Sequence, residues 1–125
     1  MKLCFDLDGT LCTNTYGKYK KAKPYKDMIS MLNKYYDMGC TIIIQTARGM
    51  GGGKKSLFHH ERVRLAEEKW YLLTREQLCE WGVRYHHLRL GKIEADVYID
   101  DKAFAVKDDG SCSGFLNRFL EQKIK

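Results

Sequence analysis

Leu3-Cys4-Phe5-Asp6-Leu7-Asp8-Gly9-Thr10-Leu11 is the stretch on which the reading of this chain turns. An apolar run begins almost at the first residue, ends in two aspartates two positions apart, and is followed by Gly-Thr. That is the pattern of a short buried strand running out into a loop. Alternate side chains of a strand share a face, so Asp6 and Asp8 can converge on one centre. Two anions buried together need a cation, and a hard divalent ion with oxygen ligands, most simply Mg²⁺, meets that need.

Outward from this stretch the pattern recurs. Thr41-Ile42-Ile43-Ile44-Gln45 is a β-branched run suited to the centre of a sheet buried on both faces, and Thr46 ends it. Tyr85-His86-His87-Leu88 reads as a third strand. Val97-Tyr98-Ile99 reads as a fourth, ending in Asp100-Asp101. Helix-period segments separate them. One runs from about Pro24, with Met28, Met31, Leu32 and Tyr35 on one face and Gly39 at its end. Another runs from about His59, with Val63, Ala66, Trp70 and Leu73 on one face. Thr74 is placed to cap a further helix over 75–81, closed by Gly82, and Phe115, Leu116, Phe119, Leu120 and Ile124 mark the last helix. Strands alternating with helices predict an α/β domain with a parallel sheet, whose ligands lie at the carboxyl ends of the strands. Three strand ends then deliver acid, hydroxyl and acid to one edge, with Lys92 just ahead of the last. Carboxylates, a metal, a hydroxyl and an ammonium are what phosphoryl transfer demands.

Composition narrows the classes. A chain of 125 residues, 44% hydrophobic and 30% charged, is expected to form a single globular domain over 1–125. No apolar run approaches the length of a membrane helix, and a carboxylate interrupts the N-terminus before a signal peptide could develop. The five Cys are widely spaced without a Cys-x-x-Cys pair, which predicts free thiols and a soluble cytoplasmic protein. The formal charge of +6 points to an anionic partner, and five lysines (Lys18, Lys20, Lys21, Lys23, Lys26) gather in one short stretch. They read as a solvated loop or as a rim that attracts a phosphate-bearing substrate. The glycine-rich run Arg48-Gly49-Met50-Gly51-Gly52-Gly53-Lys54-Lys55-Ser56 fails as a phosphate-binding P-loop, because Lys54 stands where that motif needs Gly. His59-His60 and His86-His87 lack the i, i+4 spacing of a helical metal pair, and Cys4 and Cys12 read as core or loop residues.

With these residues in order, the sequence resembles the haloacid dehalogenase superfamily over essentially its whole length. The DxDGT motif stands as Asp6-Leu7-Asp8-Gly9-Thr10, the motif hydroxyl as Thr46, the motif lysine as Lys92 and the acidic pair as Asp100-Asp101. The resemblance implies a three-layer Rossmann-like fold with a central parallel sheet ordered 3-2-1-4-5 and no cap domain. It implies Asp6 as nucleophile and Asp8 as acid and base. Mg²⁺ would be held by the Asp6 carboxylate, the Asp8 backbone carbonyl and Asp100, with Asp101 acting through a metal-bound water or by orienting Lys92. Thr46 and Lys92 would bind the phosphoryl group, with Ala47 and Arg48 beside them as substrate contacts. More narrowly, Gly91-Lys92 and the run from Ala95 to Ala103 look like small capless phosphatases of bacterial capsule or surface-sugar synthesis, in which Pro often stands where this chain has Ile93.

The expected activity is therefore a Mg²⁺-dependent phosphomonoesterase acting on a small sugar phosphate. The alternatives are a phosphatase for nucleic-acid ends and a non-catalytic phospho-ligand-binding protein. Without a cap, the glycine-rich loop 49–53 or a neighbouring subunit would close the site, so a homo-oligomer is expected.

Overall fold

The computed structural model describes residues 1–51 and 58–124. Strands β1 (Lys2–Phe5), β2 (Thr41–Thr46) and β3 (His87–Leu90) form a parallel sheet in the order β1-β2-β3. Helix α1 (Lys26–Asp37) connects the first pair, α2 (His59–Glu80) lies between the second, and α3 (Ser113–Ile124) follows. Leu3 faces Ile42, Phe5 faces Ile44, Ile44 faces Leu88 and Thr46 faces Leu90. Partners in a parallel register share a face, so these side chains form one apolar surface. Both crossovers step the same way across the sheet, and right-handed connections then lay α1 and α2 on that same surface. The core between them includes Leu7, Leu11, Leu32, Tyr35, Ile42 and Leu78, all fully buried. Each such aliphatic side chain contributes about 1.5–3 kcal/mol relative to exposure.

Four expectations change. The sheet is not buried evenly on both faces: Ile43 and Gln45 are only half-buried, and Cys4, His87 and Arg89 beside them are exposed. An apolar run marks a strand without stating how many layers cover it. The expected break at Thr74 is absent. Helix α2 runs through it, and Thr74 is buried mid-helix with its hydroxyl accepting a hydrogen bond from Arg48. The third strand begins two residues later than read, because His86 meets Ile42 partly through its ring, whose Nδ1 accepts the Ile42 amide at 3.0 Å.

The fourth change matters most for the site. Val97-Tyr98-Ile99 forms no strand, and residues 91–112 contain no helix or strand. Val97 is 71% exposed and Ile99 97%. Strand propensity needs a partner to express itself, and among the described strands β1 pairs with β2 alone.

Between Leu11 and Pro24 the chain makes a loop paired to itself. The Thr13 amide donates to the Lys23 carbonyl at 2.9 Å, the Lys23 amide donates to Thr13 Oγ1 at 3.0 Å, and the helical structure there is a single 3-10 turn, Tyr19–Lys21. Among the described residues no helix is long and apolar enough to cross a membrane.

Candidate active site

The loop after β1 is folded tightly onto one carbonyl. Leu7 O accepts the amides of Thr10 (3.0 Å), Leu11 (2.8 Å) and Cys12 (3.3 Å), while the Leu7, Leu11 and Cys12 side chains are buried. This anchors Asp6 and Asp8 at the carboxyl end of the sheet. At the end of β2, buried Thr46 accepts the Arg48 amide on Oγ1 at 3.2 Å and the Lys92 amide on its carbonyl at 3.2 Å. The second bond docks the chain just after β3. Gly91 is required there: its φ is +102°, and a Cβ would lie 2.8 Å from Val63 Cγ2. Asp6, Asp8, Thr46, Arg48 and Lys92 are thereby brought together from three separate segments.

Each acid has its own cation. Lys92 Nζ lies 3.6 Å from Asp6 Oδ1 and 4.3 Å from the centre of the Tyr98 ring. Burial pushes the Asp6 carboxyl above the usual carboxylate range; Lys92 and the Leu7 amide oppose that shift, and the nearby Asp8 adds to it. Asp8 is held more firmly. Arg48 Nε donates to Asp8 Oδ2 at 2.9 Å and Nη2 donates to Oδ1 at 2.9 Å, a bidentate pair. The Arg48 side chain is 0% exposed, against 16% for Asp8 and 37% for Asp6. Arg48 Nη1 reaches α2, donating to Thr74 Oγ1 at 3.1 Å and to Gln77 Oε1 at 2.6 Å. Cys12 Sγ lies 3.5 Å from Asp8 Oδ1, and burial, with Asp8, raises its thiol far above its ordinary range, so it stands as a protonated donor.

Asp100 and Asp101 are not part of this cluster. Both are exposed, and Asp100 Oδ1 accepts the Lys102 amide at 2.7 Å in a local turn. Among the described residues no three His, Cys, Asp or Glu side chains converge. Of the oxygen ligands that the resemblance implies for Mg²⁺, the Asp6 carboxylate lies in this cluster, and a carboxylate suits that ion, while the expected Asp100 ligand stands apart. Arg48 also differs from its expected role as a substrate contact: it is turned inward behind Asp8. Ala47 is half-buried, and its carbonyl accepts the Met50 amide at 2.9 Å in a turn. Of the glycine-rich loop, Gly49 packs so closely that a Cβ would come within 2.7 Å of Trp70 Cδ1. Gly52, Gly53, Lys54, Lys55 and Ser56 lie outside the described residues.

Three residues of the site escaped the sequence reading. Thr74 and Gln77 brace Arg48, and the signal for them was present: both are polar, yet they continue the inward stripe of Val63, Ala66 and Trp70 along α2. Tyr19 packs its ring against the Arg48 guanidinium at 4.9 Å, accepts the Gly49 amide on its hydroxyl at 3.0 Å and accepts Gln77 Nε2 on its carbonyl at 2.7 Å. It latches the lysine-bearing loop to the site. Lys18, Lys20, Lys21, Lys23 and Lys26 are all exposed on that loop and the start of α1. Asp108 also approaches: a Cβ on Gly9 would lie 3.6 Å from its Cγ, and it accepts the Tyr25 hydroxyl, whose pKa this bond pushes up to about 12.

No protein-family model and no curated protein matches the chain. A crystal structure from Vibrio cholerae, known by a structural-genomics target designation, is similar over the full length. It is 29% identical, with 99% of this chain and 98% of that one covered and a TM-score of 0.73.

Proposed function

We propose that this chain is a Mg²⁺-dependent phosphomonoesterase of the haloacid dehalogenase type, acting on a small sugar phosphate of surface-polysaccharide synthesis through an aspartyl-phosphate on Asp6. One observation carries the reading. Asp6, Asp8, Thr46 and Lys92, the group types that phosphoryl transfer uses, meet at the carboxyl edge of a parallel sheet, with Lys92 3.6 Å from Asp6.

Asp6 attacks phosphorus, and a new O–P bond forms as the bond to the leaving oxygen breaks. Asp8 gives that oxygen a proton. It then takes one from the water that attacks the aspartyl-phosphate, which frees Asp6 and releases phosphate. The Thr46 hydroxyl hydrogen is available to a phosphoryl oxygen, since its oxygen already accepts the Arg48 amide. Lys92 neutralises charge on the phosphoryl group. Asp6, the Asp8 carbonyl and Asp100 would hold Mg²⁺, which when bound supplies further charge neutralisation. Asp100 reaches the site if Val97-Tyr98-Ile99 adds in parallel to the edge of β1 away from β2, the 3-2-1-4 order of the superfamily. An exposed, strand-forming triplet and an edge of β1 that no described strand pairs with support that step.

The test is a hydrolysis screen over sugar phosphates, nucleotides and end-phosphorylated oligonucleotides, with Mg²⁺ and with EDTA. Metal-dependent release of phosphate from small esters is expected. Binding of such esters without hydrolysis would sink the enzyme reading in favour of a phospho-ligand-binding protein. A second substrate reading, nucleic-acid ends, is favoured by the exposed lysines on the loop that Tyr19 latches to the site, and the oligonucleotides decide it.

A further inference from the structure

Arg48 is the bulkiest of the fully buried side chains. A guanidinium out of water persists only when its N–H groups find acceptors, and here all five are matched. Nε and one Nη2 hydrogen go to Asp8, and the other Nη2 hydrogen points towards Cys12 Sγ at 3.9 Å. The two Nη1 hydrogens go to Thr74 and Gln77. The Tyr19 ring against the guanidinium closes the cage, and Gln77 is itself tied to the Tyr19 carbonyl.

The consequence lies in the Asp8 lone pairs. Each carboxylate oxygen has two. The single Cys12 thiol hydrogen has two acceptors in reach, Asp8 Oδ1 at 3.5 Å and the Leu7 carbonyl at 3.7 Å; in the shorter contact Oδ1, which also accepts from Arg48 Nη2, has both lone pairs engaged. Oδ2 accepts from Arg48 Nε, and among the described residues no second donor takes its other lone pair. We infer that Arg48 is a positioning residue for Asp8, fixing the carboxylate so that Oδ2 is the atom that gives and takes the proton. The inference rests on the phosphatase reading. A lysine at this place keeps the charge but loses the two-point grip that sets the carboxylate plane.

Arg48→Lys and wild type are compared with Mg²⁺ and 4-nitrophenyl phosphate, whose leaving group departs without a proton. A misplaced Asp8 then slows mainly the hydrolysis of the aspartyl-phosphate. The variant should release a rapid burst approaching one equivalent of nitrophenolate and then turn over slowly. Because only the second step is slowed, kcat should fall by about 100-fold and KM should fall with it, leaving kcat/KM changed by less than about threefold. An unchanged kcat, or a raised KM with kcat intact, overturns the inference, the latter by making Arg48 a substrate ligand. If Arg48→Lys does not fold, Thr74→Val removes one Nη1 acceptor with little change of shape and should show the same split at smaller amplitude. Independently of activity, the Arg48 Nε–H proton should exchange slowly in the NMR spectrum of wild type at neutral pH and rapidly in Asp8→Ala. A rapidly exchanging proton in wild type, or one unaffected by Asp8→Ala, overturns the clamp. Wild-type protein that hydrolyses no phosphate monoester overturns the phosphatase reading and the proton-transfer role with it, whereas an active wild type with an insensitive Arg48→Lys overturns the inference alone.

Discussion

Residues 2–5 and residues 97–99 exchange the parts their compositions suggest. Lys2-Leu3-Cys4-Phe5 has no β-branched residue, yet it is β1, in register with β2 along its length. Val97-Tyr98-Ile99 is made of strong strand formers and lies exposed, outside any sheet. Propensity therefore ranks below partnership: β1 is a strand because Leu3 and Phe5 bury against Ile42 and Ile44 while its amides pair with β2. Each acidic motif inherits the state of the run before it. Asp6 and Asp8 are each matched to a cation, while Asp100 and Asp101 stay in solvent.

The strongest blow to this contrast is Asp6→Asn, which should abolish phosphatase turnover while the fold persists. Burial raises the Asp6 pKa in the folded chain, so the folded state holds that proton more tightly than the unfolded state. The stabilisation tied to that proton is fully present below the unfolded pKa and is lost as pH rises through the folded value. At neutral pH the charge is thus a cost, and the melting temperature of Asp6→Asn should be no lower than that of wild type. Turnover retained in the variant, with deamidation excluded by mass spectrometry, would remove Asp6 as nucleophile.

A pair of isoleucines measures the contrast as stability. Ile44→Ala, in the buried face of β2, should cost about 2–5 kcal/mol in denaturant unfolding. Ile99→Ala should stay within about 0.5 kcal/mol in metal-free protein. A large loss at Ile99 would mean that residues 97–99 are already packed as a strand.

The proposed Mg²⁺ site sharpens the comparison, since an ion held by both Asp6 and Asp100 would have to draw the two regions together. At 100 times its Kd the ion should stabilise the native state by about 2.7 kcal/mol, and Asp100→Ala should erase most of that shift in a thermal melt. A full shift in the variant would leave Asp100 outside the ligand set and residues 97–101 apart from β1.

The smallest effect belongs to the lysine loop. Replacing Lys20, Lys21 and Lys23 together with Ser should barely change kcat on a small ester, because exposed lysines steer a substrate without touching the reacting atoms. A polyanion following that loop would instead lose ~10³-fold in affinity between 50 and 200 mM salt. A slope that steep, lost in the triple variant, would move the substrate to nucleic-acid ends.

Much of the site was legible one residue at a time. A carboxylate or hydroxyl directly after an apolar run is a strand-end group in a parallel sheet, and that rule located Asp6, Asp8 and Thr46; Lys92 follows the end of β3. The same rule placed Asp100 on a strand that the structure does not form, because a rule about one run contains no information about its neighbour. Helix α2 was divided at Thr74 for a related reason. Read locally, a threonine at that position looks like a cap; in the fold it is an acceptor for a guanidinium.

The sequence by itself determined the alternation of strands and helices, the apolar face of α1, β2 as a strand and the chemistry offered at the strand ends. These follow from side-chain period and from turn residues, which act within a few positions along the chain. Only the tertiary structure decided which acid each cation serves and how many layers cover the sheet. Arg48 finds Asp8 40 residues before it and Thr74 and Gln77 26 and 29 residues after it. A buried guanidinium must satisfy its hydrogens within bonding distance, and the acceptors that packing places there come from wherever the chain returns.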